Sequence, residues 1–568
     1  MAIIGANAKP AQACGGFFCS AQAPVVQQGE RIVFVAGENN VMTAIIEIVY
    51  SGPSESFSWV LPVTGVPEVG VSSTTVLDRL QQATAPSFRM TTEVVGDCRE
   101  EQYQSYDASA MPEDVSAAGV ADTWTGNPNV HVEDSGTVGP YDYDVISVAQ
   151  ESSDPAAAAL DWLDHNGYDV GGIGPEVLRD YLSRGANLIA FRLTKSADAG
   201  EIRPVTLSYP AANAVIPIRL TAVAAAPDMG VAVYVFGEYR AVPDNYAHVH
   251  LNLLAINWFS FSRFNYDAVV TAAINEAGGQ GFTTEFAGSA NVVDNVIWTS
   301  SDEQNLASLG RQIPTQDDSG WARLDWLSNA GFMFSGYDAY EDVIGRHLPI
   351  PDFTTAASVA SCVDCFLSED EIAEVDLDAF YDDLVEDVVE PLQDAEDLFD
   401  SSDYLTRMYT TVSADEMTVD PVFVFNAEMD DYSNVHTTTR TVYCSPDVYR
   451  WEAPWVTTID GVMLRGRGSS WPVAIDGTVA ASSIEDTGPV GQPLPLVDNS
   501  NEIAEDVATS NANFPTQAEM VAGSSNASAS GCQTTAGQPT SNLPFALLVA
   551  LALLASRRSL GTRVQRDS

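Results

Sequence analysis

Lysine is almost missing from this chain: Lys9 and Lys195 are the only two in 568 residues, and lysine and arginine together number 25 against 78 aspartates and glutamates. The formal charge of −53 leaves little that could neutralise phosphates, so nucleic acid is excluded as a partner. Nucleotide hydrolysis is excluded with it, because there is no phosphate loop of the form G-x-x-x-x-G-K-[ST]. Also absent are the G-x-S-x-G nucleophile elbow, the H-E-x-x-H zinc helix and a G-x-G-x-x-G turn after a strand. Long apolar runs are missing too. Leu543 to Ala555 is thirteen residues, about 20 Å of helix against a hydrocarbon core of roughly 30 Å.

What remains is enough to fold. The chain is 45% apolar, with 10 Trp, 20 Tyr and 22 Phe, which predicts two to four domains with real cores rather than disorder. The acidic, lysine-poor surface suits a medium whose salt screens self-repulsion.

Alternating residues over 32–49, around the turn GENN, predict a hairpin. A strand stopped by Pro62 follows, then a helix near 75–83 and a strand over 88–95. Residues 96–140 read as a long, weakly ordered excursion. Asp154-Pro155 opens a helix that Asn166-Gly167 ends, and a second covers about 175–184. Strands are predicted near 187–194, 203–208, 214–223, 230–238 and 247–254, and a helix in NYDAVVTAAINEAGG has Val269, Val270, Ala273, Ile274 and Ala277 on one face. The fold class is therefore α+β, largely antiparallel sheets with packed helices. IEIVYSGPSESFSWVLPV and VTLSYPAANAVIPIRL echo one another as strand, turn, strand. From Ser368, a capping box with Glu371 is expected to open an acidic helix striped by Leu377, Phe380, Leu384 and Val388 and broken at Pro391. Fifteen acids and no base lie between Glu369 and Asp400. That face is expected to be solvated. Calcium-dependent adhesion is an alternative, but the loop spacing that encircles calcium is absent and no cofactor is expected.

Seven cysteines sit at 14, 19, 98, 362, 365, 444 and 532. Setting Cys532 aside leaves six, and Cys14, Cys19, Cys98, Cys362, Cys365 and Cys444 are disulfide candidates in an oxidising compartment. Cys14 with Cys19 and Cys362 with Cys365 are close pairs, also conceivable as a zinc site; exclusion leaves Cys98 for Cys444. His248-x-His250 on a strand turns two imidazoles to one face, but no third ligand is evident, so no metal is assigned and both are expected to be ordinary strand residues. Glu276 and Glu285 flank a turn and are candidates for a carboxylate pair. They would serve an extracellular hydrolase, the alternative to a non-catalytic role.

The ends argue for export. Ala11, Gln12 and Ala13 have the A-x-A form that signal peptidase cuts after, so 1–13 is expected to be the end of a signal peptide whose leader lies upstream. At the other end, 498–542 reads as a flexible Ser/Asn/Thr-rich linker, 543–556 as a short transmembrane or sorting helix, and 557–568 as a basic cytoplasmic tail. After Arg467 no cation occurs until Arg557 and Arg558, placed as a membrane stop. Gly531-Cys532, the polar spacer, the apolar run and the arginines resemble the MYXO-CTERM sorting signal of myxobacteria and their relatives. That resemblance implies processing by an envelope sorting protease, lipid attachment at Cys532 and contact with the membrane through this segment.

CGGFFC at 14–19, SGPSESFSWVLPV at 51–63, IPIRLTAVAAAPDMGVAVYVFGEYRAVPDNY at 216–246, NEAGGQGFTTEFAG at 275–288 and YLTRMYTTVSADEMTVDPVF at 404–423 together resemble the domain-of-unknown-function 2330 family of exported bacterial proteins. The likeness implies export and a shared fold, and no catalytic residue. The main α+β region is expected over 14–345, with 346–497 as the C-terminal part of the folded body. The expected function is binding or structural work at the cell envelope.

Overall fold

The hairpin predicted from period-two alternation is the middle of the molecule. In this computed structural model, which describes residues 17–18, 26–51, 58–99, 129–149, 151–168, 174–193, 203–222, 224–259, 265–472 and 478–525, the strands Val26–Ala36 and Val41–Ser51 pair antiparallel around Gly37–Asn40. They lie inside a ten-stranded sheet whose order is Leu494–Asp498, Ala481–Asp486, Ala247–Leu251, Gly281–Ser289, Tyr404–Val412, Ala225–Gly237, Val26–Ala36, Val41–Ser51, Val205–Pro210 and Glu68–Val71. Two neighbouring pairs in it are parallel, Ala225–Gly237 with Val26–Ala36 and Ala247–Leu251 with Gly281–Ser289; the rest are antiparallel. Strands from both sides of residue 345 are neighbours in this sheet.

Alternation assigns each residue to a layer. Ile32, Phe34, Ala44 and Ile46 face a five-stranded sheet, against Trp59, Leu61, Ile189 and Phe191. Val33, Val35 and Ile45 face helices, Thr74–Thr84 and Glu390–Phe399 among them, where Phe236 stacks on Phe399 at 4.3 Å. Gly237 ends its strand against Phe425, where a Cβ would meet the ring at 2.3 Å. The outer face of the five-stranded sheet carries Pro155–His165 and Pro175–Ser183 on Val60, Ile146 and Leu188. The first of these helices starts as its sequence dictates: Asp154 accepts from the Ala157 amide at 3.2 Å, Pro155 fills the first turn, and Gly167 leaves at φ +82°. Helices between Ser300 and Val389 pack on one another around Trp326, Leu327, Tyr340 and Phe380.

The structure corrects several expectations. Pro62 lies within Ser58–Val63, opposite Leu188; on the strand's other side the described residues pair with Ser58 and Trp59, short of Pro62. Residues 130–138, inside the weakly ordered excursion expected over 96–140, form a strand, Val130–Val138, that pairs with Tyr141–Val148 as a hairpin. The strand expected at 214–223 is a two-residue strand, Ala214–Val215, and a helical turn, Ile218–Thr221. The internal echo is not a repeated hairpin, because its first copy joins strands of two different sheets and its second ends in that turn. Glu371 accepts from both the amide and the hydroxyl of Ser368, half of the expected capping box, but on a turn; the helix starts at Leu377, with Asp376 accepting from the Ala379 amide. Pro391 does not break it. A π-helical segment, Val385–Val389, precedes Glu390–Phe399, and the i→i+5 pattern moves the ladder past the missing N–H. The linker expected from 498 holds two helices, Ser500–Asn511 and Gln517–Ser525, which bury Ile503, Val507 and Met520. Cys14, Cys19, Cys532, the apolar helix at 543–556, Arg557 and Arg558 lie outside the described residues. Among the described residues no helix is long and apolar enough to cross a membrane.

Candidate functional site

Two polar constellations meet at consecutive residues of the strand Gly281–Ser289. Thr284 serves one face of the sheet and Glu285 the other. On the first face, His248 and His250 share a side of Ala247–Leu251, as the alternation requires. The register of the next strand sets Glu485 opposite His248. His250 Nε2 is 3.0 Å and His248 Nδ1 3.5 Å from Glu485 Oε2, with the two rings edge to face at 4.5 Å. No local spacing points to this third group, since Glu485 is 235 residues from His250. The other nitrogen of His248, Nε2, lies 2.9 Å from Thr284 Oγ1, which also accepts from Arg240 Nη2 at 3.1 Å. His248 is 1% exposed, whereas the His250 side chain is 35% exposed, so the cluster is closed at one end and open at the other. Burial pushes His248 down to about 4, and the two imidazoles beside Glu485, His248 foremost, hold its carboxyl at about 2. At neutral pH the buried His248 is therefore a neutral imidazole beside a carboxylate.

On the other face lies Glu285, the extra residue of a β-bulge between Thr284 and Phe286, so that Glu285 and Phe286 both stand against Arg407. Glu285 is buried, pairs with Arg407 Nε at 2.5 Å and accepts from the Tyr266 hydroxyl at 2.7 Å. Arg407 also donates to Gln81 O at 3.1 Å and lies over the Tyr234 ring. Glu285, Arg407, Tyr266 and Gln81 line a cleft of about 620 Å³ with Glu30, Arg31 and Tyr409. Arg31 is clamped by Glu47 and Asp78. Glu30 has no such cation: Gln27 donates to it at 3.3 Å, and burial raises its carboxyl from 4.5 to about 7.

The Glu30 shift sets a pH dependence. Between pH 4.5 and 7 the folded chain holds a proton on Glu30 that the unfolded chain has released, so this residue's effect on stability worsens as pH rises across that window and is constant above it. Glu30→Gln, which keeps the shape and removes the charge, is expected to stabilise the protein at pH 8 by about 2–3 kcal/mol and leave it unchanged at pH 4. Unfolding of both proteins at the two pH values checks this. An equal fall in stability from pH 4 to 8 in both would remove Glu30 as its source.

Other candidates separate. Glu276 does not join Glu285; its two oxygens accept from the amides of Ala480 and Ala481, both at 2.8 Å. Cys98 is bonded to Cys444 and Cys362 to Cys365, so Cys362 and Cys365 offer no thiolate for a metal. The acidic helix is partly paired rather than only solvated: Asp383 meets Arg346 and His347 at 2.8 Å each, and Asp387 meets Arg203 at 3.3 Å.

Residues 8–423 match a family described as an uncharacterized protein conserved in bacteria, DUF2330. No curated protein and no solved structure matches the chain.

Proposed function

This chain belongs to the DUF2330 family of uncharacterized bacterial proteins, and from that premise we propose that it is an exported protein, held at the cell envelope by its C-terminal tail, that binds a small polar ligand in the cleft beside Glu285. The cleft carries the reading. Its carboxylate at Glu285 is neutralised by Arg407, and among the described residues its lining contains no histidine, cysteine, serine or lysine, which favours recognition over nucleophilic chemistry. Tyr266 and Tyr409 give it aromatic faces, and Glu30 waits for a hydrogen-bonding or cationic group. Export is supported by the tail from Cys532 to Arg558, by the acidic composition and by the bond between Cys98 and Cys444.

A panel of amino acids, sugars and polyamines tests the binding role by thermal shift. At least one class is expected to raise the melting temperature of the native chain and to do so less in Tyr409→Ala; no shift with any class would overturn it. Location is tested on intact cells. An impermeant protease is expected to remove the folded body, and released protein is expected to end near Cys532 by mass spectrometry; full protection of an intact chain would refute surface display.

A further inference from the structure

We propose that His248 Nδ1, His250 Nε2 and the Glu485 carboxylate bind one divalent transition-metal ion of the zinc class, on the opposite face of the sheet from the cleft and independently of it. Their ligand atoms all lie within 4.8 Å of one another. Tetrahedral zinc with bonds of about 2.0–2.1 Å needs its ligand atoms roughly 3.3 Å apart. The contacts of 3.0 and 3.5 Å to Glu485 bracket that value, so an ion would enter with small side-chain adjustments.

A second observation points to a ligand. His248 Nδ1 is buried and lacks a partner at good hydrogen-bond geometry, its nearest acceptor being Glu485 Oε2 at 3.5 Å. An orphaned ring nitrogen in a site this closed costs about 1–3 kcal/mol unless something occupies its lone pair. The remaining nitrogen is placed for the role: when Nε2–H donates to Thr284 Oγ1, at 2.9 Å, Nδ1 is the unprotonated nitrogen, which is the tautomer a metal requires. Glu485 comes from a strand paired to that of the histidines, so the three ligands stand on a hydrogen-bonded sheet rather than on loops. Two nitrogens and one carboxylate suit zinc or its neighbours, and exclude calcium, which takes six or more oxygens. Arg240 opposes a cation, but its hydrogen bonds run to Thr284 and the Asp430 carbonyl, away from the three ligands. Three protein ligands with the His250 side open to solvent leave a fourth position for water or a ligand atom, the arrangement that separates reactive zinc sites from closed structural ones.

The test uses untagged full chain stripped with a chelator and titrated with zinc by calorimetry, and with cobalt by visible absorption. One equivalent of zinc and the d–d bands of tetrahedral cobalt are expected. Because His248 is buried, the deciding variants are the more exposed His250→Ala and Glu485→Gln, each expected to weaken zinc binding more than about 100-fold with folding intact by circular dichroism, while Thr284→Val, which removes the hydroxyl behind His248, is expected to weaken it about 10-fold. His436→Ala is expected to bind as the parent does. Absence of stoichiometric zinc in the parent, or equal zinc binding by the parent and both His250→Ala and Glu485→Gln, would overturn the site.

Discussion

Arg407→Met is expected to destabilise the protein by about 3–5 kcal/mol, because it leaves the Glu285 carboxylate buried without its cation. The pair is almost sealed, with side chains 4% and 1% exposed. Part of the loss has a second source, since Gln81 O and Thr84 Oγ1 accept from the guanidinium at 3.1 and 3.3 Å. Adding Glu285→Gln to Arg407→Met is expected to recover at least about half of the loss, because a neutral amide in that place can still meet the Tyr266 hydroxyl and no longer carries a charge out of water. Guanidinium unfolding followed in the near-ultraviolet checks both proteins. A single variant within about 1 kcal/mol of the parent would mean that water reaches Glu285 from the cleft and screens it.

The pair also marks where sequence reading stops. The hairpin at 26–51 and the helices at 155–165, 175–183 and 266–276 were legible because period, cap and stop signals agree over short windows. Val130–Val138 was missed because VHVEDSGTV exposes nearly every position, leaving no apolar stripe to read. AVIPIRLTAV looks like a strand, yet Pro217 and packing of Ile218 and Leu220 turn it into a helical turn. Composition hid Ser500–Asn511 in an apparent linker, although Ile503 and Val507, four apart, carried the helical signal. The site depended on register alone. Nothing local ties Glu485 to His248, or tells that the strand's partner sets Arg407 beside Glu285 while Thr284 turns to the histidines. The two histidines could be placed on one face from alternation, and the residue that completes their cluster could not.

Removal of the Cys98–Cys444 bond in Cys98→Ser/Cys444→Ser is expected to cost about 3–5 kcal/mol, the upper part of the range for a disulfide. The bond ties residues 346 apart, so it closes a far larger loop than Cys362–Cys365, whose partners are three apart. Chain entropy grows only with the logarithm of loop length, but it still ranks the two. The site is also built around the first bond. Cys444 is fully buried at the end of a strand that runs parallel to Ser87–Val95, and its amide donates to Val95 O at 2.8 Å. Gly96, at φ +83°, lets the chain pass where a Cβ would meet Cys444 O at 2.5 Å. Two serine hydroxyls in that setting would replace a bond with buried polar groups, whereas Cys362→Ser/Cys365→Ser places its hydroxyls nearer solvent and is expected to lower the melting temperature less. Thermal unfolding of both double variants, with and without reductant, reads the ranking: reductant should shift the parent towards Cys98→Ser/Cys444→Ser and leave that variant almost unmoved. A parent indifferent to reductant after full unfolding and refolding would show that the bond does not form. The same comparison bears on where the chain works, because a protein retained among reduced thiols would have to live with the lower stability, and one sent beyond the cytoplasm would not.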